Sequence, residues 1–411
     1  MICFFGFNQS VKILHKDSGS VIQHSFEKVE DKSQISINQI YFSTPSDFYN
    51  QVKNIKNQTG IDDVAFAIDP NAVSSMDGFP EQVGFGDLQI LEKYHGQKEI
   101  KIGIVNAMSN AIGDHLIGMM AFDYWHKKLS EMLPDTKIIV TFFQLNPYGL
   151  QNINQQFADK IDHLYVLPSN MVNLLQQDVY IDLGTILLRE GFDTENIMDF
   201  FLKSLSINPT SVPDKEKRIR FSVPEDVQRH TEKMFRAIRT KKRPVLLFHH
   251  NASAPIRGMD DVHARKLVAN IIEKSEYFVI CTSGLEYQNE RFLDVSIFSY
   301  SLNHFASIIS QADALLTVDT CSYHFADAFD IPTVVLFSTI EPELRIKYYP
   351  FVKSIMCEKK GGKLYGKHKA SNDPDELKKD LEYLSLLWDD LDVDEVLKKL
   401  EESVKLKEAS L

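Results

Sequence analysis

The chain has 411 residues, of which 44% are hydrophobic, and this is enough for two or three domains with ordinary buried cores. Its formal net charge is -12, from 45 basic and 57 acidic side chains. This balance argues against a duplex-binding surface, which needs a basic excess to displace phosphate counterions, so nucleic acid is not an expected partner.

Cysteine usage and hydropathy narrow the class of protein further. The four cysteines are scattered and form no CxxC pair, so neither a disulfide framework nor a structural zinc site is indicated. No apolar run approaches the roughly 18 to 20 residues of a membrane span, and the N-terminus lacks the basic start of an export signal. We therefore expect a cytoplasmic protein, for which a peripheral membrane contact stays open.

Residues 1–97 are predicted to form a separate strand-rich extension. Their short apolar or alternating stretches are typical of strands, and turn-like residues such as DSGS separate them. The stretches are KIL (12–14), VI (21–22), QISINQIYF (34–42) and VAFAI (64–68).

From Glu99 the pattern changes to alternating strands and helices. The predicted strands are EIKIGIVNA, KIIVTFF, HLYVL and VYIDL, and the predicted helices are IGDHLIGMMAFDYWHKKLSEML and ENIMDFFLKSL. This alternation predicts a parallel sheet with right-handed crossovers in a domain of residues 98–215.

The segment INPTSVPDKEKR (207–218) combines prolines with a charge cluster and marks a domain boundary. Beyond it we predict a second domain over residues 216–372 and a helical tail over 373–411. The second domain again alternates, through EDVQRHTEKMFRAI, VLLFHH, DDVHARKLVANIIEK, YFVIC, NHFASIISQA, ALLTVD and TVVLF. Its pattern therefore also predicts a parallel α/β sheet.

Polar residues follow three of the predicted strands, where open parallel sheets bind their ligands. After the first of these strands, Gly113 permits close backbone approach, and Asp114 stands at a helix start, where a carboxylate is favoured. Such an acid would be a competent general base if a substrate hydroxyl reached it. Taken alone, the Gly-Asp pair favours the simpler interpretation that Asp114 is an N-cap.

The loop after VLLF carries Ser253 and Arg257, whose hydroxyl and guanidinium donors suit phosphates. A lone surface arginine is more often only solvated.

The strand LLTV ends at Asp319 and Thr320, which we expect to cap a helix. The amides of Cys321 and Ser322 would then face a diphosphate, with His324 in the first turn. An equally weighted alternative makes Asp319 and Thr320 a cap only and packs His324 under the loop.

In this order, the segments resemble the heptosyltransferases of glycosyltransferase family 9. VDTCSYHFADAFDIPTVVLF is similar to that family's strand, Asp-Thr-Gly-x-x-His helix and following strand. IGDHLIGMMAFDYWHKKLSEMLPDTKIIV is similar to its Gly-Asp loop, first helix and second strand. The resemblance covers roughly residues 99–355. It implies an α/β GT-B fold, in which two Rossmann-like parallel-sheet domains face a cleft, with the strand-rich extension added.

The resemblance implies inverting, metal-independent transfer of a sugar to a glycan or protein hydroxyl, in lipopolysaccharide or glycoprotein biosynthesis. The donor in the type members is ADP-heptose, so we expect an ADP-linked nucleotide sugar and no other cofactor. Asp114 corresponds to the proposed base, and Arg257 to a diphosphate contact where the family commonly has lysine. The donor site maps onto Asp319, Thr320, Cys321 and Ser322, with His324 behind them.

Several positions depart from the family pattern. Cys321 replaces a glycine, and we interpret it as a small apolar filler in preference to a thiolate favoured by the helix end. The family's ribose-binding acid falls near Gln288, with Glu286 as a nearby candidate. Met259 stands where a tryptophan is usual, so nucleobase or sugar preference is expected to differ.

Two alternatives and two questions stay open. The chain could be a catalytically silent GT-B binding or scaffold subunit, or a hydrolysing GT-B nucleotide-sugar epimerase. The N-terminal extension is similar in size to that of the autotransporter heptosyltransferases, which modify protein hydroxyls. That group carries a cysteine-ligated iron site, which four scattered cysteines do not favour. Neither the acceptor nor the oligomeric state is predicted.

Overall fold

A computed structural model describes residues 2–6, 13–14, 21–22, 40–43, 64–66, 78–184, 186 and 189–411. The chain divides into two compact units, Met1–Glu216 and Lys217–Leu411, and the short 3-10 helix Asp214–Lys217 carries it from one to the next. The predicted DSGS turn, the part of QISINQIYF before Ile40 and the end of VAFAI lie outside the described residues.

The first unit contains the following described elements. The strands are β1 Ile2–Gly6, β2 Ile13–Leu14, β3 Val21–Ile22, β4 Ile40–Ser43, β5 Val64–Phe66, β6 Glu81–Val83, β7 Glu99–Val105, β8 Lys137–Gln144, β9 His163–Val166, β10 Ser169–Asn170 and β11 Val179–Asp182. The α-helices are α1 Ile112–Met132, α2 Gln151–Asn154, α3 Met171–Leu175 and α4 Ile197–Ser204, and the 3-10 helices are Leu88–Tyr94, Gln155–Phe157 and Pro209–Ser211.

A five-stranded parallel sheet in the order β6-β11-β7-β8-β9 forms the centre of this unit. Strand β7 is the central strand of this sheet. Its residues 102–105 are buried, as expected of a parallel strand covered on both faces. Helix α1 connects β7 to β8 and packs Phe122 edge-on against Phe142, with 5.0 Å between the ring centroids. The chain leaves β7 toward β8 and returns to its other side at β11, so a topological switch point lies between β7 and β11.

The segment predicted as a separate extension contributes to the first unit in two ways. Strand β6 is an edge strand of the five-stranded sheet. Strands β4, β1 and β5 form a second sheet with β10, and Phe42 of β4 is fully buried against Phe143 of β8 at 5.0 Å. Strands β2 and β3, within the predicted stretches 12–14 and 21–22, pair with each other antiparallel.

The second unit contains six strands and seven α-helices among its residues, all of which are described. The strands are β12 Val245–His249, β13 Phe278–Cys281, β14 Phe292–Asp294, β15 Ala314–Val318, β16 Thr333–Phe337 and β17 Val352–Met356. The helices are α5 Glu225–Arg239, α6 Asp261–Lys274, α7 Leu302–Gln311, α8 Ser322–Ala328, α9 Glu343–Ile346, α10 Pro374–Asp389 and α11 Val393–Glu408, with 3-10 helices at Pro255–Arg257 and Ser296–Phe298.

The strands of this unit form a parallel sheet in the order β14-β13-β12-β15-β16-β17. The chain therefore moves outward from β12 to β14, then returns to the other side of β12 and moves outward again to β17. This is the strand order of a Rossmann fold, and its switch point lies between β12 and β15. The predicted fold of two parallel-sheet α/β domains is confirmed.

The two C-terminal helices pack on the core of the second unit. Leu384 and Trp388 of α10, and Val396 and Leu400 of α11, are buried in the same hydrophobic cluster as β12 and β15. Asp392 caps α11 by accepting a hydrogen bond from the amide of residue 394 at 2.9 Å. No helix among the described residues combines the length and apolar character needed to cross a bilayer.

Candidate functional site

The switch point of the second unit brings three predicted site residues together. Arg257 ends the 3-10 helix in the loop after β12, and Asp319 follows β15 directly. The guanidinium donates from Nη1 to Oδ2 of Asp319 at 3.1 Å and from Nη2 to Oγ of Ser253 at 3.0 Å. These contacts follow from the topology, because β12 and β15 are neighbours whose carboxyl ends meet at one edge.

The loop that carries Arg257 is anchored on both sides of it. Ile256 is fully buried, and its carbonyl accepts a hydrogen bond from Ser338 Oγ at 2.8 Å. The carbonyl of Gly258 accepts from Trp388 Nε1 at 3.2 Å. The guanidinium therefore starts from a backbone fixed by β16 and α10, which limits the directions in which it can point.

Asp319 lies beneath this loop and is almost completely buried. Its Oδ1 accepts a hydrogen bond from the Tyr323 hydroxyl at 2.9 Å, while Oδ2 accepts from Arg257. The prediction that Asp319 and Thr320 cap the helix is wrong, because α8 has Cys321 as its N-cap, with no side-chain capping bond. The carboxylate does not cap because Arg257 and Tyr323 already hold it.

The residues after Asp319 separate into half-buried and fully buried ones. Thr320 and Cys321 are half-buried, whereas Ser322 is fully buried and its hydroxyl hydrogen-bonds Thr317 Oγ1 at 2.7 Å. The Ser322 side chain thus faces the sheet. Burial raises the pKa of the Cys321 thiol to about 11, which disfavours a thiolate at neutral pH and agrees with an apolar filler.

His324 packs beneath the loop, as one of the two sequence interpretations predicted. It is 3% exposed, and its Nδ1 lies 2.7 Å from the Tyr349 hydroxyl. Burial lowers the pKa of His324 to about 3, so the ring is neutral at physiological pH. The buried ring therefore matches the interpretation in which His324 packs under the loop.

The neighbouring strand end adds polar groups at the same edge of the sheet. Glu286 and Gln288 have exposed side chains on the loop after β13. His249, which the sequence analysis did not single out, ends β12 with its Nδ1 2.9 Å from Thr282 Oγ1 and 3.1 Å from Ser283 Oγ. Burial, and then the neighbouring His250, lowers the pKa of His249 to about 4, so this ring is neutral.

In the first unit, the equivalent switch point carries the loop between β7 and α1. Asn106, Met108 and Ser109 have φ angles of 55°, 52° and 69°, in the left-handed region that residues other than glycine rarely adopt. The amide of Ala107 donates to the carbonyl of Phe143 at 3.1 Å, which ties the loop to the end of β8. Such strained loops persist only where surrounding contacts determine them.

Asp114 lies in the first turn of α1, one residue after Gly113, and both are half-buried. The N-cap of α1 is Ala111, which offers no side-chain cap, so the simpler interpretation of Asp114 as an N-cap is wrong. Its carboxylate instead occupies the helix turn where the macrodipole favours negative charge.

His115, the next residue, was missed by the sequence analysis and fixes the loop before Asp114. It is fully buried, with its Nδ1 3.1 Å from the Met108 carbonyl oxygen and its Nε2 2.8 Å from Asn154 Oδ1. Burial lowers the pKa of His115 to about 4. The only sequence signal for this role was a histidine adjacent to the predicted base.

Among the residues that the structure describes, no group of three or more His, Cys, Asp or Glu side chains is arranged to hold a metal ion. The switch point of the first unit carries the half-buried carboxylate of Asp114, and that of the second carries the guanidinium of Arg257 with its neighbouring hydroxyls.

A family match spans the residues of the second of these sites. Residues 198–361 match the model of glycosyltransferase family 9 (heptosyltransferase). No curated protein matches the chain. Among solved structures, the glycosyl transferase family 9 protein from Veillonella parvula DSM 2008 aligns with a TM-score of 0.50 and 13% identity, covering 75% of this chain and 97% of that one. This likeness supports the fold.

Two further structures are similar at lower scores. The E. coli ADP-heptose lps heptosyltransferase II has a TM-score of 0.45 and 14% identity, covering 70% of this chain and 98% of that one. The iron-containing dodecameric glycosyltransferase TibC from enterotoxigenic E. coli H10407 has a TM-score of 0.44 and 12% identity, covering 74% and 79%. Residues 198–361, which contain Arg257, Asp319 and their loops, are thus similar to glycosyltransferase family 9, the family that the motifs resemble.

Proposed function

We propose that this protein transfers a sugar from a nucleoside diphosphate to an acceptor hydroxyl on a glycan or protein, with inversion and without a metal. ADP-heptose is the first donor to test. The family match supports a nucleotide-sugar glycosyltransferase. The observation that carries the proposal is the Arg257–Asp319 pair with Ser253 at the switch point of a Rossmann sheet, where this class of fold binds nucleotides.

Arg257 binds the departing diphosphate in this proposal. Its side chain is 20% exposed, so a ligand can reach it, and its guanidinium is oriented by Asp319 and Ser253 before the ligand arrives. A preorganised cation stabilises the negative charge that grows on a leaving group without reorganising during the reaction. Ser253 adds an exposed hydroxyl on the same loop.

Asp114 is the proposed general base of the first unit. As the acceptor oxygen forms its bond to the anomeric carbon, the bond from that carbon to the diphosphate oxygen breaks on the opposite face. The acceptor proton passes to the Asp114 carboxylate, and the electron pair of the broken bond leaves with the diphosphate. General-base catalysis of this kind contributes about 10²- to 10⁴-fold.

Turnover of the full chain with ADP-heptose and candidate glycan and peptide acceptors tests this assignment. Asp114→Asn is expected to lower turnover by about 100-fold or more while ADP affinity is retained, because the base does not bind the nucleotide. Glu131→Gln, an exposed acid on the same helix paired with Lys128, is the matched control and should leave turnover unchanged. Full activity in Asp114→Asn would eliminate the proposed base.

Donor and metal dependence have their own measurements. A thermal-shift series with ADP, UDP, GDP and CDP should select one nucleotide, because a ligand that binds only the folded state raises apparent stability. Turnover should persist in EDTA, and its loss would overturn the metal-independent mechanism. Binding of no nucleotide would instead support a scaffold subunit, and release of nucleotide with a 2-epimerised sugar, without acceptor, would support an epimerase.

A further inference from the structure

A buried tyrosine lies behind the proposed donor site. Tyr323 is 1% exposed, and its hydroxyl donates to Oδ1 of Asp319 at 2.9 Å, while Oδ2 of the same carboxylate holds Arg257. We propose that Tyr323 is a positioning residue for the donor diphosphate, which it orients indirectly by fixing the carboxylate that aims the Arg257 guanidinium. This inference rests on the proposed function, since it assumes that Arg257 binds the diphosphate.

The packing around Tyr323 gives its hydroxyl a fixed position. Its ring centroid lies 6.0 Å from that of Phe337 in β16 and 6.4 Å from that of Tyr349. The ring centroid of His324 lies 4.1 Å from that of Tyr323. A side chain held in this way cannot follow a rotating carboxylate, so the carboxylate must adopt the orientation in which Oδ1 meets the phenol.

In the hydrogen bond between Tyr323 and Asp319, the tyrosine hydroxyl is the donor over the working pH range. Burial, and then the charge of Asp319, raises the pKa of Tyr323 well above its usual value, so the phenol stays protonated and always donates. Only Oδ2 of Asp319 then accepts from Arg257. The guanidinium therefore binds Asp319 through Nη1 and Ser253, in the exposed loop, through Nη2. Without the phenol, a buried acceptor oxygen lacks its donor, and the carboxylate is free to turn toward the guanidinium.

Tyr323 and Tyr349 are both buried, and comparing variants of the two separates loss of the Asp319 contact from general destabilisation. Tyr323→Phe removes the hydroxyl that bonds Asp319, whereas Tyr349→Phe removes the hydroxyl that bonds His324. Both variants are expected to lower the melting temperature, because each leaves a buried polar atom without its partner. Only Tyr323→Phe is expected to weaken ADP binding, by about tenfold in calorimetry, and to raise the donor KM more than it lowers kcat.

The Asp319→Asn background shows whether Tyr323 acts through Asp319. There, Tyr323→Phe should change ADP affinity by less than about twofold, because residues that act as one unit are non-additive. If Tyr323→Phe alone does not fold, the double variant is compared with Asp319→Asn, and a further tenfold loss in that pair would contradict the proposal.

The outcomes separate this inference from the function on which it rests. A wild-type chain that binds no nucleoside diphosphate overturns the proposed function. A wild-type chain that binds ADP, with Tyr323→Phe and Tyr349→Phe binding it equally well, overturns only the positioning role.

Discussion

The indole nitrogen of Trp388 donates a hydrogen bond to the carbonyl oxygen of Gly258 at 3.2 Å. Trp388 lies on α10, and Gly258 follows Arg257 directly in the loop after β12. A residue 130 positions away in sequence therefore supports the loop that carries the proposed diphosphate ligand. Helix α10, which the sequence analysis placed in a separate tail, therefore supports the loop of the proposed donor site.

Trp388→Phe is expected to weaken ADP binding by several-fold. The smaller ring still fills part of the buried position, but the Gly258 carbonyl loses its donor, which costs about 1 to 3 kcal/mol and relaxes the Arg257 loop. Isothermal calorimetry with ADP, alongside thermal unfolding, measures both effects.

The control for this variant is Leu384→Ala, also buried on α10. It should destabilise the protein by about 2 to 5 kcal/mol through a cavity. Because Leu384 makes no polar contact with the loop, ADP affinity of the folded protein should stay unchanged. An equal loss of affinity in both variants would mean that general loosening of α10, and not the hydrogen bond, governs the site.

In the second unit, strands covered on both faces were predictable from the sequence, whereas the two edge strands were not. VLLFH of β12 and ALLTV of β15 are almost entirely buried, and their continuous apolar runs are the local signature of a central parallel strand. Strands β14 and β17 lie at the sheet edges and are only partly buried, so their sequences lack that signature. Their conformation depends on pairing with a neighbour that local sequence does not specify.

The candidate site was predicted in its positions but not in its contacts. Asp319 has the residue type and spacing of an N-cap, and only tertiary structure shows that Arg257 and Tyr323 claim both of its oxygens. The positive φ angles of Met108 and Ser109 were likewise unpredictable, because neither residue type favours that conformation. Tertiary contacts overrode local preference at both switch points, which is typical of functional loops.

The buried neutral His324 predicts a pH-dependent contribution to stability. Burial lowers its folded-state pKa to about 3, below the usual value of 6.5, so between these values the unfolded chain binds a proton that the folded protein does not. Acid therefore favours unfolding of the wild type through this residue, by up to about 1.4 kcal/mol per pH unit. Stability from His324 is present above about pH 6.5 and is lost as the pH falls toward 3.

Urea unfolding of the wild type and His324→Gln at several pH values checks this prediction. The stability advantage of the wild type should shrink steadily from pH 6.5 to pH 4, because glutamine does not titrate. An advantage that is constant over this range would show that His324 is protonated in the folded protein or is not buried as described.

Gly118 of α1 faces the strained loop before Asp114, and its lack of a side chain is required there. A Cβ at this position would lie 2.8 Å from the Cβ of Met108, an approach that real Cβ atoms essentially never show. Gly118→Ala is therefore expected to destabilise the protein by about 1 to 3 kcal/mol and, by displacing the loop, to reduce turnover. Unfolding in urea and turnover with ADP-heptose measure the two effects.

Met108→Gly offers the matching rescue for Gly118→Ala. It removes the opposing Cβ, and glycine adopts the φ of 52° at this position without strain. In the Met108→Gly background, Gly118→Ala should cost clearly less than it does alone, since the two residues are in contact and their effects couple. Strictly additive costs in free energy of unfolding would show that the clash is relieved elsewhere, and that the loop before Asp114 does not depend on Gly118. One such place is Phe201, whose ring would lie 3.2 Å from the new Cβ.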